Sequence, residues 1–274
     1  MKLSVVIVSF NSATTLRACL GSLRGQRTDM EVIVVDNAST DDSLAAAREF
    51  AEAVVLAQRD NVGYAAANNA GIRAATGEFV LLLNPDCEVR PGALQALLDF
   101  ADSHPDAGAI GAKLLNPDGT LQPSGRAFPT LGRWWLETTG LYRLRTDNAN
   151  LDPQRDYDQS GEVDEVSGAC MLLRRAALAQ VDLLDERFFL LWEDIDLCKR
   201  LRAAGWKVWY CAEAQVVHHF GVSRKPVSEL VRRVSMQSAE RYFRKHHGTF
   251  AYAFVKSTHV AKEAARKLSR KDRE

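Results

Sequence analysis

Two acid-bearing corners of this chain have the residue types and spacing of a reactive site. The first is Asn84-Pro85-Asp86, which follows the apolar run Phe79-Val80-Leu81-Leu82-Leu83. Such a run reads as a buried strand, and Pro85 ends it because proline cannot donate to a ladder. Asp86 is left at a strand's carboxyl end, the rim where open α/β sheets bind ligands. A lone Asp there is ordinarily a turn residue or helix cap, and the chain supplies a comparison. Asn116-Pro117-Asp118-Gly119 repeats the tripeptide, but Pro-Asp-Gly is turn chemistry, so the second copy is read as structural.

The second corner is Glu193-Asp194-Ile195-Asp196, three carboxylates in the first turn of an expected helix behind Phe188-Phe189-Leu190-Leu191-Trp192. The helix macrodipole favours acids there and accounts for one or two of them. Apolar surface alongside would desolvate a carboxylate, raise its pKa and suit it to act as a base. Asp36 ends the run Val32-Ile33-Val34-Val35 on the same rim, inside a polar segment suited to capping a helix or bonding a base or sugar. Asn61-Val62-Gly63-Tyr64 adds a third corner, where Gly63 permits close backbone approach and amides can face an anion. Neither glycine-rich phosphate fingerprint occurs, so a phosphate ligand needs a divalent cation, and Asp86 suits Mg²⁺ or Mn²⁺. His218-His219 offers a nitrogen donor to the same ion; which of the two points inward is open.

These corners need elements to hold them. Strands are expected over 3–8, 31–35, 54–57 and 79–83, separated by helices over 13–23, 43–52 and 64–75, with another helix over 92–103. That alternation implies a mostly parallel central sheet flanked by helices, an α/β fold. Residues 126–159, with Trp134-Trp135, read as a long loop or insert, and such loops are often lids or binding loops. A hydrophobic cluster under a loop is the plainer reading of the tryptophans. Regularity returns over 163–174, a helix follows near 175–181, then a helix over 193–204 and a strand over 207–211.

Composition narrows the class. The 274 residues are 46% hydrophobic and 26% charged, which fits a globular chain. Overall charge balances, and that argues against nucleic acid as a partner. From Val222 onward there are fourteen Lys and Arg against five Asp and Glu, a net of +9, which suits an anionic membrane surface. The five cysteines (Cys19, Cys87, Cys170, Cys198, Cys211) lack paired spacing and read as reduced and buried in a cytosolic protein. Met1-Lys2 leads straight into a strand pattern, so no signal peptide is expected, and no apolar run is long enough to span a bilayer. Placement at the inner face of the cytoplasmic membrane fits these features.

In order, the blocks starting at Ser4-Val5-Val6-Ile7-Val8-Ser9-Phe10-Asn11, Val34-Val35-Asp36-Asn37, Asn61-Val62-Gly63-Tyr64 and Asn84-Pro85-Asp86 resemble the family 2 glycosyltransferases. Gly168-Ala169-Cys170-Met171-Leu172, Glu193-Asp194-Ile195-Asp196-Leu197 and His218-His219-Phe220-Gly221 resemble its rhamnosyltransferase-like branch. The resemblance implies a GT-A fold, a nucleotide-diphosphate sugar donor, favoured as dTDP-rhamnose, a divalent cation and inversion at the anomeric carbon. It implies a glycan or polyprenyl-linked acceptor. Ser9, Asn11, Asp36, Asn61, Gly63, Asn84 and Asp86 would line the donor side, with Asp86 and His218 on the metal. Asn84 stands where many members carry the first Asp of a D-x-D motif. Asp194 would be the base, with Gly168, Trp192 and Glu193 on the acceptor side. The domain expectation is a catalytic body over 1–221, its donor half about 1–115 and acceptor half about 116–221, and a basic helical extension over 222–274. A non-catalytic nucleotide-sugar sensor and a sugar-phosphate nucleotidyltransferase are the alternatives; the second would normally carry a Gly-rich basic loop after the first strand.

Overall fold

The computed structural model describes residues 2–139, 141, 155–219 and 229–271. Phe220-Gly221, most of the polar stretch after Thr146 and the expected boundary at 221 lie outside the described residues. The first half runs β1 (Leu3–Ser9), α1 (Ala13–Arg24), β2 (Met30–Asp36), α2 (Ser43–Arg48), β3 (Ala53–Ala57), α3 (Tyr64–Ala74), β4 (Phe79–Leu83), β5 (Cys87–Val89), α4 (Ala93–Ser103) and β6 (Ala107–Leu115). The second runs β7 (Leu121–Gln122), β8 (Gly125–Arg126), α5 (Leu131–Thr139), β9 (Gly161–Val163), β10 (Glu165–Val166), β11 (Cys170–Arg174), α6 (Arg175–Val181), α7 (Glu193–Ala203), β12 (Lys207–His218) and α8 (Glu229–Lys271).

The main sheet has the order β3-β2-β1-β4-β11-β6-β12-β5. Its first four strands are parallel, as expected. Beyond them β11 runs antiparallel between β4 and β6. The chain enters β11 at the rim, where Asn84 N–H donates to Ala169 O at 2.9 Å, so Gly168 is delivered beside the Asn84 corner. β12 is longer than the expected 207–211, runs parallel to β6 and ends at the rim on His218, paired with Cys87 of β5. The regular stretch expected over 163–174 consists of the end of β9 (Gly161–Val163), then β10 and β11.

Strands β1 and β4 are buried on both faces, which is why they read as unbroken apolar runs. Val5, Ile7, Leu81 and Leu83 join Leu16, Leu20, Leu94 and Leu97 in one core. Val6, Val8, Val80 and Leu82 join Ile72, Leu178, Leu197 and Leu201 in the other. The expected loop over 126–159 contains helix α5. Thr130 starts it, its Oγ1 accepting the Arg133 N–H at 3.2 Å. Trp134 packs against Trp192, Phe243 and His259, so this half-buried tryptophan belongs to a hydrophobic cluster.

Helix α8 breaks at Gly248 (φ 84°, ψ −177°) into arms over 229–247 and 249–271. The arms fold back on each other, with Glu240 bonded to His259 at 2.9 Å and Arg232 to Glu263 at 3.1 Å. Tyr242, Phe243, Ala251 and Val255 seat this hairpin on Phe188, Trp134 and Trp192. Asp196, fully buried, anchors it: Lys245 Nζ lies 2.6 Å and His246 Nε2 2.7 Å from its Oδ1, and Arg200 Nε 2.7 Å from its Oδ2. All five cysteines are buried and free. Among the described residues no helix is long and apolar enough to cross a membrane.

Candidate active site

The rim gathers the sequence-selected residues into two neighbouring regions. At β4 and β12, Asp86 Oδ1 and His218 Nε2 stand 3.3 Å apart, both side chains nearly buried. His219 points elsewhere and pairs with Glu88 at 2.7 Å, which answers the question of which histidine faces Asp86. Gln122 Nε2 donates to Asn116 Oδ1 at 2.9 Å, leaving Gln122 Oε1 to accept from His218 Nδ1 at 2.6 Å. Nδ1 is thus the donor to Gln122, and the ring turns Nε2 toward Asp86. The turn at Asn116 is structural, as expected, yet its amide orients the residue that orients His218.

Asn84 does not replace the missing second acid. Tyr64 Oη donates to Asn84 Oδ1 at 2.7 Å, and the amide nitrogen lies 3.5 Å from His218 Nε2. Burial pushes the Tyr64 phenol well above its usual range, so it remains a donor. Cys87 Sγ lies within 4.8 Å of the Asp86 and His218 donor atoms. Burial raises that thiol well above normal, and it donates to Ala169 O at 3.3 Å, so it is no ligand for a hard ion. Adjacent ligands of an octahedral ion with bonds of about 2.1 Å stand about 3.0 Å apart. The Asp86–His218 pair fits a small divalent cation on that measure.

At the end of β2, Asp36 is 3% exposed, and its Oδ2 accepts the Ser39 N–H at 3.2 Å. Its Oδ1 is buried with no hydrogen-bond partner among the described residues. A ligand hydroxyl or amide would satisfy that oxygen, since a buried acceptor left unpaired is costly. The neighbouring residues frame this corner without facing it. Ser9 is fully buried, its hydroxyl 2.7 Å from that of Ser12. Asn11, at φ 50°, accepts the Thr40 N–H at 2.8 Å and clasps the two loops. Asn61 Oδ1 accepts from Asn37 at 2.9 Å and from the Gly63 N–H at 3.0 Å. Gly63 is required twice over: its φ is 88°, and a Cβ would lie 2.7 Å from the Phe189 ring.

On the other side, Leu191 (φ 65°) and Trp192 (φ 74°) turn the chain sharply into α7. Left-handed backbone at such residues costs about 1–3 kcal/mol each and clusters at functional sites. The turn aims Asp194 into a cavity of about 640 Å³ that also reaches Tyr64, Asn84 and His218. Asp194 Oδ2 accepts the Gly168 N–H at 2.9 Å, and Oδ1 accepts the Ile195 N–H at 2.9 Å. Gly168 allows this approach, because a Cβ there would lie 3.3 Å from the Asp194 Cβ. Trp192 and Glu193 also line the cavity, Glu193 being 4% exposed. The three acids thus divide: Asp194 faces the cavity, while Asp196 anchors the C-terminal hairpin.

Desolvation raises a carboxyl that the sequence did not single out. Burial pushes Glu165 up to about 7, against the pull of Arg126 and with Asp194 adding to the rise. Glu165 and Arg126 sit opposite each other on β10 and β8, with Arg126 Nε 2.9 Å from Glu165 Oε1. Two-residue strands have no periodicity to read, so nothing in the sequence pointed to this pair.

Comparison with known proteins identifies the family. The family model described as Glycosyl transferase family 2 matches residues 4–182. The N-acetylglucosaminyl-diphospho-decaprenol L-rhamnosyltransferase of Mycobacterium tuberculosis is 35% identical over 246 residues, covering 83% of this chain and 80% of that protein. Among solved structures, S. aureus TarS 1–349 superposes with a TM-score of 0.59 at 19% identity, over 95% of this chain and 72% of that one. The mannosyltransferase PcManGT from Pyrobaculum calidifontis, in complex with GDP-Man and Mn²⁺, gives 0.57 at 16% identity, over 96% of this chain and 75% of that one.

Proposed function

We propose, from the premise that this chain belongs to glycosyl transferase family 2 and is a glycosyltransferase of the GT-A fold, that it moves rhamnose from dTDP-rhamnose to a sugar hydroxyl on a polyprenyl-linked acceptor. The observation that carries this reading is the shared cavity, which joins Asp194 to the Asn84–His218 corner. The mycobacterial relative supports the choice of sugar and acceptor. In this reading residues 1–115 hold the donor and 116–221 receive the acceptor.

Asp194 acts as the base. Each of its oxygens accepts one backbone N–H, which leaves acceptor capacity for a substrate hydroxyl. As Asp194 takes that proton, the hydroxyl oxygen attacks the anomeric carbon in line with the departing nucleoside diphosphate, and the configuration inverts. Asp36 fixes the nucleoside through its unpaired Oδ1. A Mg²⁺ or Mn²⁺ held by Asp86 and His218 would neutralise charge growing on the leaving diphosphate. Tyr64 keeps Asn84 turned so that its amide nitrogen borders that corner.

The test is transfer from dTDP-rhamnose to an N-acetylglucosaminyl-diphospho-lipid, with product configuration read by NMR. Product with the anomeric configuration opposite to the donor's is expected, and chelation with EDTA should abolish its formation. Retention of configuration, or no product from any of dTDP, UDP and GDP sugars, would overturn the reading.

We also assign the basic hairpin to an anionic bilayer. Phe250, 80% exposed at the hairpin turn, and Val260, 62% exposed, stand among the cations. Co-flotation with phosphatidylglycerol vesicles, lost at high salt, is the expected result; equal recovery with phosphatidylcholine would remove the electrostatic part.

A further inference from the structure

The acceptor cavity contains a feature that the proposed base and cation corner leave unused. Arg126 and Arg133 line it together with Asp194 and Glu165. Arg126 is carried on the short ribbon where it faces Glu165 across the strands, and Arg133 follows one turn into α5. Glu165 is 3% exposed and holds Arg126 through Nε, at 2.9 Å from Oε1. The contact is an ion pair in distance without an aligned hydrogen bond. Among the described residues no hydrogen bond is made by the terminal nitrogens of Arg126. The Arg126 guanidinium also lines the cavity, and its fork is of the kind that meets phosphate bidentately.

The same cavity is apolar beside these arginines. Pro129, Trp134, Leu190, Leu191 and Trp192 line it. Cations next to an apolar wall suit an amphipathic anion better than a free sugar nucleotide. Asp36 and Asp86 do not line this cavity; of the proposed donor and metal residues, Asn84 and His218 border it.

We propose that Arg126 and Arg133 form the seat for the phosphate groups of a lipid-linked diphosphate acceptor, with Glu165 as the residue that positions Arg126. The inference rests on the acceptor class given under the proposed function, and it places the acceptor's phosphates beside the base and its first lipid carbons along the tryptophan wall. Glu165 is faced by Arg126 from β8, Arg133 from α5, Asp194 and Cys198 from α7, and Tyr242 from α8. Near neutral pH Glu165 is partly protonated, with a pKa of about 7, so it does not fully cancel the arginine it holds.

The experiment measures binding of farnesyl diphosphate and of farnesol to the full chain, with dTDP and Mg²⁺ in excess to fill the donor side. Wild-type protein should bind farnesyl diphosphate the more tightly, and Arg126→Gln should weaken that binding by about tenfold or more, the scale of one lost charge-assisted contact. Arg126→Lys should recover part of it, because a point charge remains where the fork is gone. Arg133→Gln, on the more accessible helix, is the check should the Arg126 variants fold poorly. Unchanged affinity in Arg126→Gln or in Arg133→Gln would overturn the seat. Displacement of farnesyl diphosphate by dTDP would also overturn it, by assigning the arginines to the donor's diphosphate. Failure of the transfer assay with binding intact would sink the proposed function and leave the seat standing.

Discussion

Asp194→Asn is expected to lower transfer turnover by about 10²–10⁴-fold, the range that removal of a general base covers, while donor binding persists. Asparagine keeps the shape of the side chain, so α7 and the Gly168 approach should survive. One of the two backbone N–H groups that Asp194 now satisfies would still find a carbonyl oxygen. The pairing of measurements decides the matter: turnover with a lipid-linked acceptor, and the thermal shift produced by nucleotide sugar with Mn²⁺. Turnover within about threefold of wild type would remove Asp194 as the base. Loss of the donor-induced shift together with turnover would place Asp194 on the donor side instead.

Asp196→Ala is expected to be the most damaging single change to stability. Its carboxylate is fully buried and serves Arg200, Lys245 and His246 at once. Removing one member of a buried ionic cluster costs about 3–5 kcal/mol because the others stay buried without it. At about 2–4 °C per kcal/mol in chains of this size, the melting temperature should fall by about 6–20 °C. Burial pulls the Asp196 pKa up, but His246, Lys245 and Arg200 outweigh it, and the carboxyl is held below its ordinary 3.8. Asp185 is held well below the usual range in the same way, by Arg187 and Lys245 against burial. A depressed folded-state pKa gives stability that is present above the unfolded value and lost as pH falls. Acid unfolding below about pH 4 should therefore begin at the hairpin, and the variant should show less of that dependence. A melting temperature within about 2 °C of wild type would show that the hairpin docks without this anchor.

The sequence made the reactive rim readable because strand ends are readable. Apolar runs that stop at Asp36 and at Asn84-Pro85-Asp86 place their polar residues on one edge of a sheet, and the structure has them there. Ser9 and Asn11 entered through the family resemblance and Asn61 through its place before a helix, and in the structure all three hold loops together. Being at the rim does not decide whether a side chain turns outward or back into the turn. The three acids of α7 could not be ranked by composition, although residues two apart on a helix point about 200° apart, which is why Asp194 and Asp196 part company. Helix α5 escaped notice because it is short, nine residues with a Gly at the second position, although its residues are amphipathic. Gln122, Tyr64 and the Arg126–Glu165 pair act through partners tens of residues away in sequence, and no local signal records such pairings.

The short strand β5 carries a consequence for how selective the cation corner would be. Cys87 pairs with His218 in the β5–β12 ladder, and the His219 N–H donates to Asp86 O at 2.9 Å. Asp86 and His218 are thus spaced by backbone register, and the ring of His218 is held by Gln122. An ion arriving there would order almost nothing, so its binding would lose little to chain entropy. A corner with fixed walls cannot open for a larger ion, and Ca²⁺, with bonds of about 2.3–2.6 Å, needs more room than Mg²⁺ at about 2.0–2.1 Å. Discrimination by ionic radius would then be a property of strand register and not of the ligands' chemistry.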